Sequence, residues 1–122
     1  MDISKEYIEM CEKAVEIQKN HEWEFGDYWY NGAIIYRGAP LYAQTLEQVT
    51  WLPTQSQLQR MLDGKCSYFL LMEFTNFVDT AWGYEMAVIE EWSMEQLWLA
   101  FVMNEKYDKI WDNKSKVWKG EQ

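Results

Sequence analysis

The fold is decided by residues 94–111, MEQLWLAFVMNEKYDKIW, whose first half contains an apolar run at 97–103 and whose second half is charged. Wound as one helix, this stretch has two apolar sides at its beginning and one at its end. One stripe consists of Leu99, Met103, Tyr107 and Ile110, and a second patch, almost opposite, consists of Met94, Leu97, Trp98 and Phe101. A membrane-spanning helix needs about 18 or more consecutive apolar residues, so this run is too short. The pattern therefore predicts a helix covered by protein on two sides.

The covering of the second patch decides whether it is core or interface. We expect an amphipathic helix at 4–19 and an aromatic hairpin to cover it. If they leave it exposed, a partner protein or a second copy of the chain docks there. The predicted partner-binding residues are this patch and two nearby carboxylates: Met94, Leu97, Trp98, Phe101, Glu91 and Glu95.

Helices are marked by periodicity and by their first residues. Residues 4–19 have apolar side chains on one side and charged ones on the other, which predicts an amphipathic helix. Thr54 with Gln57, and Ser93 with Gln96, have the spacing of a capping box, so helices are predicted over 54–63 and from 93 onward. A further helix is predicted near 66–80, with Leu70, Phe74, Phe77, Val78 and Ala81 on one face, and a strand over part of this stretch is the alternative, because short apolar runs are ambiguous. Residues 81–92 have no clear assignment.

Strands are predicted near 27–30 and 33–37, where aromatic and β-branched residues concentrate. Asn31-Gly32 lies between them and favours the type I′ turn of a tight hairpin. A third strand is predicted at 48–52, and the tail forms a short hairpin or an extended end with DNKS, 112–115, as its turn. The predicted fold class is α+β: a small single domain, 1–122, with three to four helices packed on a short antiparallel sheet containing an Asn-Gly hairpin.

Composition and charge limit the classes of function. The 122 residues include eight Trp, eight Tyr and five Phe, and their formal net charge is −9. Proteins that bind nucleic-acid backbones present a basic face, so direct binding to nucleic acid or to an anionic membrane is disfavoured. An acidic surface keeps a protein soluble and attracts basic partners.

Residues that could perform catalysis or hold a metal are few. His21 is the one histidine of the sequence, and it follows a predicted helix end, where a cation suits the helix dipole. Cys11 and Cys66 are too few and too far apart for a zinc motif, so we expect free, buried thiols. The sequence has no phosphate-binding loop and no nucleophile elbow. We therefore expect no enzymatic activity, no metal and no cofactor.

Three segments together resemble small proteins encoded by tailed phages and prophages of low-GC Gram-positive bacteria. They are YIEMCEKAVEIQ at 7–18, VTWLPTQSQLQRML at 49–62, and SMEQLWLAFVMNEKYDKIWD at 93–112, and they cover roughly half of the chain. That group has no assigned biochemical activity, so the resemblance implies no catalytic residues. It implies a phage accessory protein in the cytoplasm of a bacterial host, and residues 1–10 also lack the features of a secretory signal.

Three functional hypotheses follow. The first is a non-enzymatic interaction protein, with counter-defence as a special case, that binds a host or phage protein through aromatic anchors. The second is a small-molecule binder for a nucleotide-like ligand, whose base stacks on aromatic rings and whose phosphate pairs with arginine. Its candidate residues are Trp29, Tyr36, Arg37 and Arg60. The third is a minor structural or assembly protein that self-associates.

Overall fold

The computed structural model describes residues 1–38, 49–62, 67–81 and 91–120. Over these ranges the chain is an α+β protein with five helices and two small antiparallel sheets. The helices are α1 Lys5–Lys13, α2 Val15–Asn20, α3 Gln55–Arg60, α4 Ser67–Ala81 and α5 Met94–Tyr107. The strands are β1 Tyr28–Tyr30, β2 Ile35–Arg37, β3 Thr50–Leu52, β4 Lys109–Asp112 and β5 Val117–Gly120. Cys66 and residues 82–90 of the unassigned stretch lie outside the described ranges.

The predicted helix at 4–19 is two helices with a break at Ala14. The Ser4 side chain accepts the Tyr7 N–H at 3.2 Å and caps α1 as predicted. Ala14 leaves helical geometry at φ −84° and ψ 67°. The Gln18 amide then donates to the Cys11 carbonyl at 3.1 Å and to the Trp51 carbonyl at 2.8 Å. The break therefore brings the Gln18 side chain to the outer edge of β3.

The three-stranded sheet has the order β2-β1-β3. Trp29 lies opposite Tyr36 on one side and opposite Trp51 on the other. The predicted Asn-Gly turn is wrong in its detail, because a four-residue connection, 31–34, joins β1 to β2. Only Gly32 of the dipeptide has positive φ, whereas a type I′ turn needs it at both positions. The Asn31 side chain instead accepts the N–H groups of Ala33 and Ile34 at 2.9 and 2.8 Å.

Both predicted capping boxes are present, and they fix the first residues of α3 and α5. The predicted stripe on the last helix is too long, because α5 ends at Tyr107. Asp108 adopts the left-handed conformation, with φ 53°, and its N–H closes the helix on Asn104 and Met103. Ile110 therefore lies in β4, which pairs with β5 in the hairpin expected around DNKS. The single predicted sheet is thus replaced by two.

Helix α5 lies at the centre of the molecule and packs against α1, α3, α4 and β4. Its residues 98–103 are all buried, so the helix is covered on every side along its middle. The largest fully buried side chains around it come from several elements: Tyr7, Met10, Trp51, Leu52, Leu58 and Trp111. Within the described ranges, no helix has the length and apolar character needed to cross a membrane.

Candidate functional site

Helix α4 is attached to α5 by its predicted inner face. The Phe74 ring stacks on the Trp98 ring with centroids 4.0 Å apart and parallel planes. Phe77 contacts Phe101 with centroids 5.4 Å apart. Leu70 and Val78 also pack against the core cluster. Aromatic pairs of this kind contribute about 0.5–1.5 kcal/mol each beyond their buried area, so the orientation of α4 about its axis is well determined.

The opposite side of the first half of α4 is apolar and exposed. Tyr68 is 70% exposed, Phe69 60%, Leu71 60% and Met72 45%. We call these four residues the α4 apolar face. The first turn of α4 contains no acidic residue, and its last turn contains no basic one. Leaving four large apolar side chains in water on one helix is unusual for a monomeric protein, and such patches mark interaction sites.

The structure separates the predicted partner-binding residues into core and surface. Trp98 is 3% exposed and Phe101 is fully buried, because α4 covers both rings. Met94 is 44% exposed and Leu97 is half-buried at the beginning of α5. Two of the four apolar residues are therefore core in this structure, and Met94 is the most accessible of them.

The two predicted carboxylates, Glu91 and Glu95, line an acidic depression beside the beginning of α5. Its volume is about 500 Å³, and Asp2 and Glu6 line it as well. The Asp2 N–H donates to Glu95 Oε1 at 3.1 Å, and the Ser93 hydroxyl donates to Asp2 Oδ2 at 2.5 Å. The lining residues include no lysine, arginine or histidine, but Met1 lines the depression too, and its terminal ammonium lies 3.7 Å from Glu95 Oε1. Across the described ranges, no group of three or more side chains could hold a metal ion.

The four residues of the small-molecule hypothesis lie in different environments. Trp29 stacks on Tyr36, with centroids 4.5 Å apart and an interplanar angle of 19°. The Arg37 guanidinium lies 5.3 Å from the centroid of the Tyr28 ring, which is a cation–π contact. Arg60 belongs to a different concave region beside α3. The structure therefore stacks Trp29 on Tyr36, but it places Arg37 against Tyr28 and Arg60 in a separate groove.

A buried polar cluster around Asp27 was missed by sequence reasoning. The Asp27 carboxyl group, 1% exposed, accepts His21 Nε2–H at 2.7 Å and Gln57 Nε2–H at 2.6 Å. It also accepts the Glu24 N–H at 2.7 Å. The His21 ring stacks on Trp51 with centroids 3.4 Å apart. One carboxylate therefore joins the end of α2, the turn before β1, and α3.

A groove of about 290 Å³ lies beside this cluster and is lined by His21, Glu24, Trp51, Gln57, Arg60 and Met61. Arg60 Nη2 is 4.0 Å from Glu24 Oε2, and both side chains are largely exposed. An exposed pair at this distance contributes little to stability, so a ligand could displace it at small cost. The groove thus offers an aromatic wall with one cation and one anion at its rim.

The buried Cys11 thiol and the buried Tyr7 phenol are both unsuited to catalysis. Burial raises the pKa of the Cys11 thiol well above its ordinary value, so the thiol stays protonated at neutral pH. Burial also raises the pKa of Tyr7, whose hydroxyl donates to the Pro53 carbonyl at 2.6 Å. Cys11 is free and buried, as predicted for it.

The sequence contains a signal for the α4 apolar face but none for the Asp27 cluster. The α4 apolar face could have been found, because the stretch SYFLLM at 67–72 contains no charge on any side of the helix. The Asp27 cluster had no such signal, since its partners are 3 to 30 residues away and depend on the tertiary fold.

Comparison with known proteins gives no family for this chain: no protein-family model, curated protein or solved structure matches it.

Proposed function

We propose that this chain is a non-enzymatic interaction protein that binds another protein through the α4 apolar face. The observation that carries this proposal is the exposure of Tyr68, Phe69, Leu71 and Met72 on a helix whose other side is fixed to the core. The same proposal includes a phage or prophage origin, a counter-defence role and a location in the host cytoplasm. These three points rest on the resemblance to phage proteins described above.

The proposal is supported by the contrast between the two sides of α4. Phe74 is 7% exposed, whereas Tyr68 and Phe69 are 60% exposed or more. A helix needed only for packing is expected to be polar on its outer side. Tyrosine supplies a large, rigid contact area at low entropic cost, which suits a binding surface. The outer side of α4 therefore has the composition of an interface.

The non-enzymatic part of the proposal is supported by the state of the described candidate groups. The Cys11 thiol is buried and its pKa is raised. The His21 Nε2–H is held by a carboxylate that also receives two other donors. Such an arrangement has a sufficient structural reason, because a buried carboxylate needs all of its hydrogen bonds.

The proposal is tested with a pair of surface variants that carry the same added charge. In Leu71→Glu/Met72→Glu the α4 apolar face is disrupted. In Val15→Glu/Ile34→Glu two other exposed side chains, 58% and 56% exposed, are changed. Tagged proteins are used to capture partners from host lysate, and native mass spectrometry identifies what is bound. We expect a partner with wild type and with the control pair, and none with the α4 pair. Equal recovery by all three proteins would contradict the proposal.

A second candidate function, small-molecule binding, is favoured by the groove beside His21, where Arg60 and Gln57 converge on an aromatic wall. It is tested by native mass spectrometry of the purified protein and of Arg60→Gln. A co-purifying small molecule that is lost in the variant would support this function, and a ligand-free wild type from several hosts would argue against it.

The third candidate, self-association, uses the same α4 apolar face. Size-exclusion chromatography with light scattering distinguishes it from partner binding, because only self-association makes the measured mass rise with protein concentration.

A further inference from the structure

We infer that the outer edge of β2 pairs with the same edge of a second copy of this chain, so that two three-stranded sheets join into one sheet of six strands. The inference goes beyond the proposed function, because it concerns β2 and not the α4 apolar face. Its basis is the direction of the backbone groups at the two edges of the sheet, which has the order β2-β1-β3.

The backbone groups of Ile35 and Arg37 point away from the sheet. The Gly38 N–H donates to the Asp27 carbonyl at 2.6 Å and so faces the β1 side. In an antiparallel ladder the backbone direction alternates from residue to residue, so Tyr36 also faces β1, while Ile35 and Arg37 face outward. In the described ranges, no side chain and no strand is bonded to these outward groups. The outer edge of β2 therefore offers two N–H groups and two carbonyls.

The opposite edge of the sheet, on β3, is closed. The Gln18 side chain accepts the Trp51 N–H at 2.7 Å and donates to the Trp51 carbonyl at 2.8 Å. Pro53 has no N–H, and its carbonyl accepts the Tyr7 hydroxyl at 2.6 Å. Proteins block sheet edges in such ways because an open edge pairs with other strands. Of the two edges of this sheet, that of β2 is therefore the one that can take a further strand.

The sequence of β2 is self-complementary in one antiparallel register. With a two-fold axis at Tyr36, Ile35 of each copy lies opposite Arg37 of the other, and the outward groups of the two pairs form four hydrogen bonds. A shift of two residues in one direction places the two Arg37 side chains directly opposite each other, which is destabilising. A shift in the other direction needs the Ala33 N–H, which the Asn31 side chain already accepts at 2.9 Å.

Tyr36 suits the position on the two-fold axis. It is 40% exposed, and its ring stacks on Trp29 with centroids 4.5 Å apart. The two Tyr36 side chains would be nearest neighbours across the new pair of strands, and aromatic pairs are favourable there. Residues 28–38 contain one charged residue, Arg37, so repulsion between two acidic chains is weak at this edge. A three-residue strand buries less than the roughly 800 Å² per partner of a standard interface, so we expect a weak, reversible dimer.

Cysteine cross-linking tests the register. Tyr36→Cys and Ile34→Cys are made in a Cys66→Ser background and oxidised. On the inferred axis the Cα atoms of the two residues 36 lie about 4.5 Å apart, within the range of a disulfide. Those of the two residues 34 lie about 14 Å apart, which is too far for a disulfide. We expect a covalent dimer from Tyr36→Cys alone. Equal cross-linking of both variants, or of neither, would overturn the inference.

Size-exclusion chromatography with light scattering tests whether the wild type dimerises. We expect the mass to rise toward that of two chains, and no further, between about 5 and about 500 µM protein, because the β3 edge is closed. Tyr36→Lys places two like charges opposite each other and should weaken dimerisation at least about fivefold. Ile34→Lys adds the same charge at a side chain that is 56% exposed, and should weaken it less than about twofold. A wild type that stays monomeric at every concentration would overturn the inference.

Amide hydrogen exchange and the α4 variant complete the test. In dilute protein the N–H groups of Ile35 and Arg37 should exchange fast, and they should become protected as the dimer forms. Protection at every concentration would show an edge that is already covered and would overturn the inference. Leu71→Glu/Met72→Glu should dimerise as the wild type does, so its failure to capture a partner concerns the proposed function alone. A dimer that is lost in this variant but kept in Tyr36→Lys would overturn the β2 pairing and leave the α4 apolar face as the self-association surface.

Discussion

The Phe74 ring lies parallel to the Trp98 ring with centroids 4.0 Å apart, and this contact fixes which side of α4 faces the core. Because Phe74 is held inward, Tyr68 and Met72 are turned toward solvent. The same contact explains why Trp98 and Phe101, two of the four apolar residues in the predicted patch on α5, are not open to solvent. The exposed apolar surface lies instead on the outer side of α4, the helix that covers α5.

Trp98→Ala tests whether Trp98 acts as core. The indole is 3% exposed and contacts Phe74 and Phe101. We expect the free energy of unfolding to fall by about 3–5 kcal/mol, as for other large buried side chains. Urea denaturation followed by far-UV circular dichroism measures this change. Phe25→Ala is the control, since Phe25 is fully exposed, and its effect should stay within about 0.5 kcal/mol. Similar small effects for both variants would show that Trp98 is not core.

Asp27→Asn tests the buried polar cluster. An asparagine has one acceptor oxygen, so it cannot accept from both His21 and Gln57 as the carboxylate does. At least one buried donor loses its partner, and we expect a loss of about 2–4 kcal/mol in unfolding free energy. Asp79→Asn makes the same chemical change at an exposed position of α4 and should be nearly neutral. Equal stabilities of the two variants in urea would mean that the cluster contributes nothing to the fold.

The buried thiol gives a prediction on reactivity and on pH. Burial raises the pKa of Cys11, so folding disfavours the thiolate. The stability that this contributes is fully present below the unfolded pKa of about 8.5 and decreases as the pH rises above it. In a Cys66→Ser background, a thiol reagent at pH 8 should react with the denatured protein at once and with the native protein only as it unfolds. Rapid labelling of the native protein would contradict the burial of Cys11.

Asp112 in the terminal hairpin gives a prediction at acid pH. Lys119, together with Ser115 and the Lys114 N–H, holds the pKa of the Asp112 carboxyl well below its ordinary value. A lowered pKa stabilises the fold above the unfolded pKa of about 3.9, and this contribution is lost as the pH falls further. Carboxyl carbon shifts in an NMR titration should show the Asp112 carboxylate becoming protonated only well below its ordinary pKa. Lys119→Met should raise its pKa, and an unchanged titration would rule out the lysine as the main cause.

Local signals in the sequence predicted the beginnings of helices well. Each capping box needs residues only three positions apart, so Ser93 and Thr54 could be recognised directly. The inner face of α4 followed from periodicity in the same way. The end of α5 was misjudged because the apolar spacing continues to Ile110, although Asp108 turns the chain into a hairpin.

Features that depend on distant contacts could not be predicted. The break at Ala14 accompanies the contact between Gln18 and β3, 33 residues away. The Asp27 cluster likewise joins segments up to 30 residues apart. For the candidate site, periodicity identified apolar sides on α4 and α5 but could not decide which side another helix covers. That decision is made by tertiary packing of the aromatic rings.

Hydroxyl-radical footprinting, with and without the captured partner, tests the central claim most directly. In the free protein, Tyr68, Met72 and Met94 should be oxidised readily, because each is at least 44% exposed and chemically reactive. In the complex, we expect Tyr68 and Met72 to be protected while the exposed Phe25 reacts as before. Unchanged oxidation of Tyr68 and Met72 in the complex would show that the partner binds elsewhere, and the α4 apolar face would not be the interaction surface.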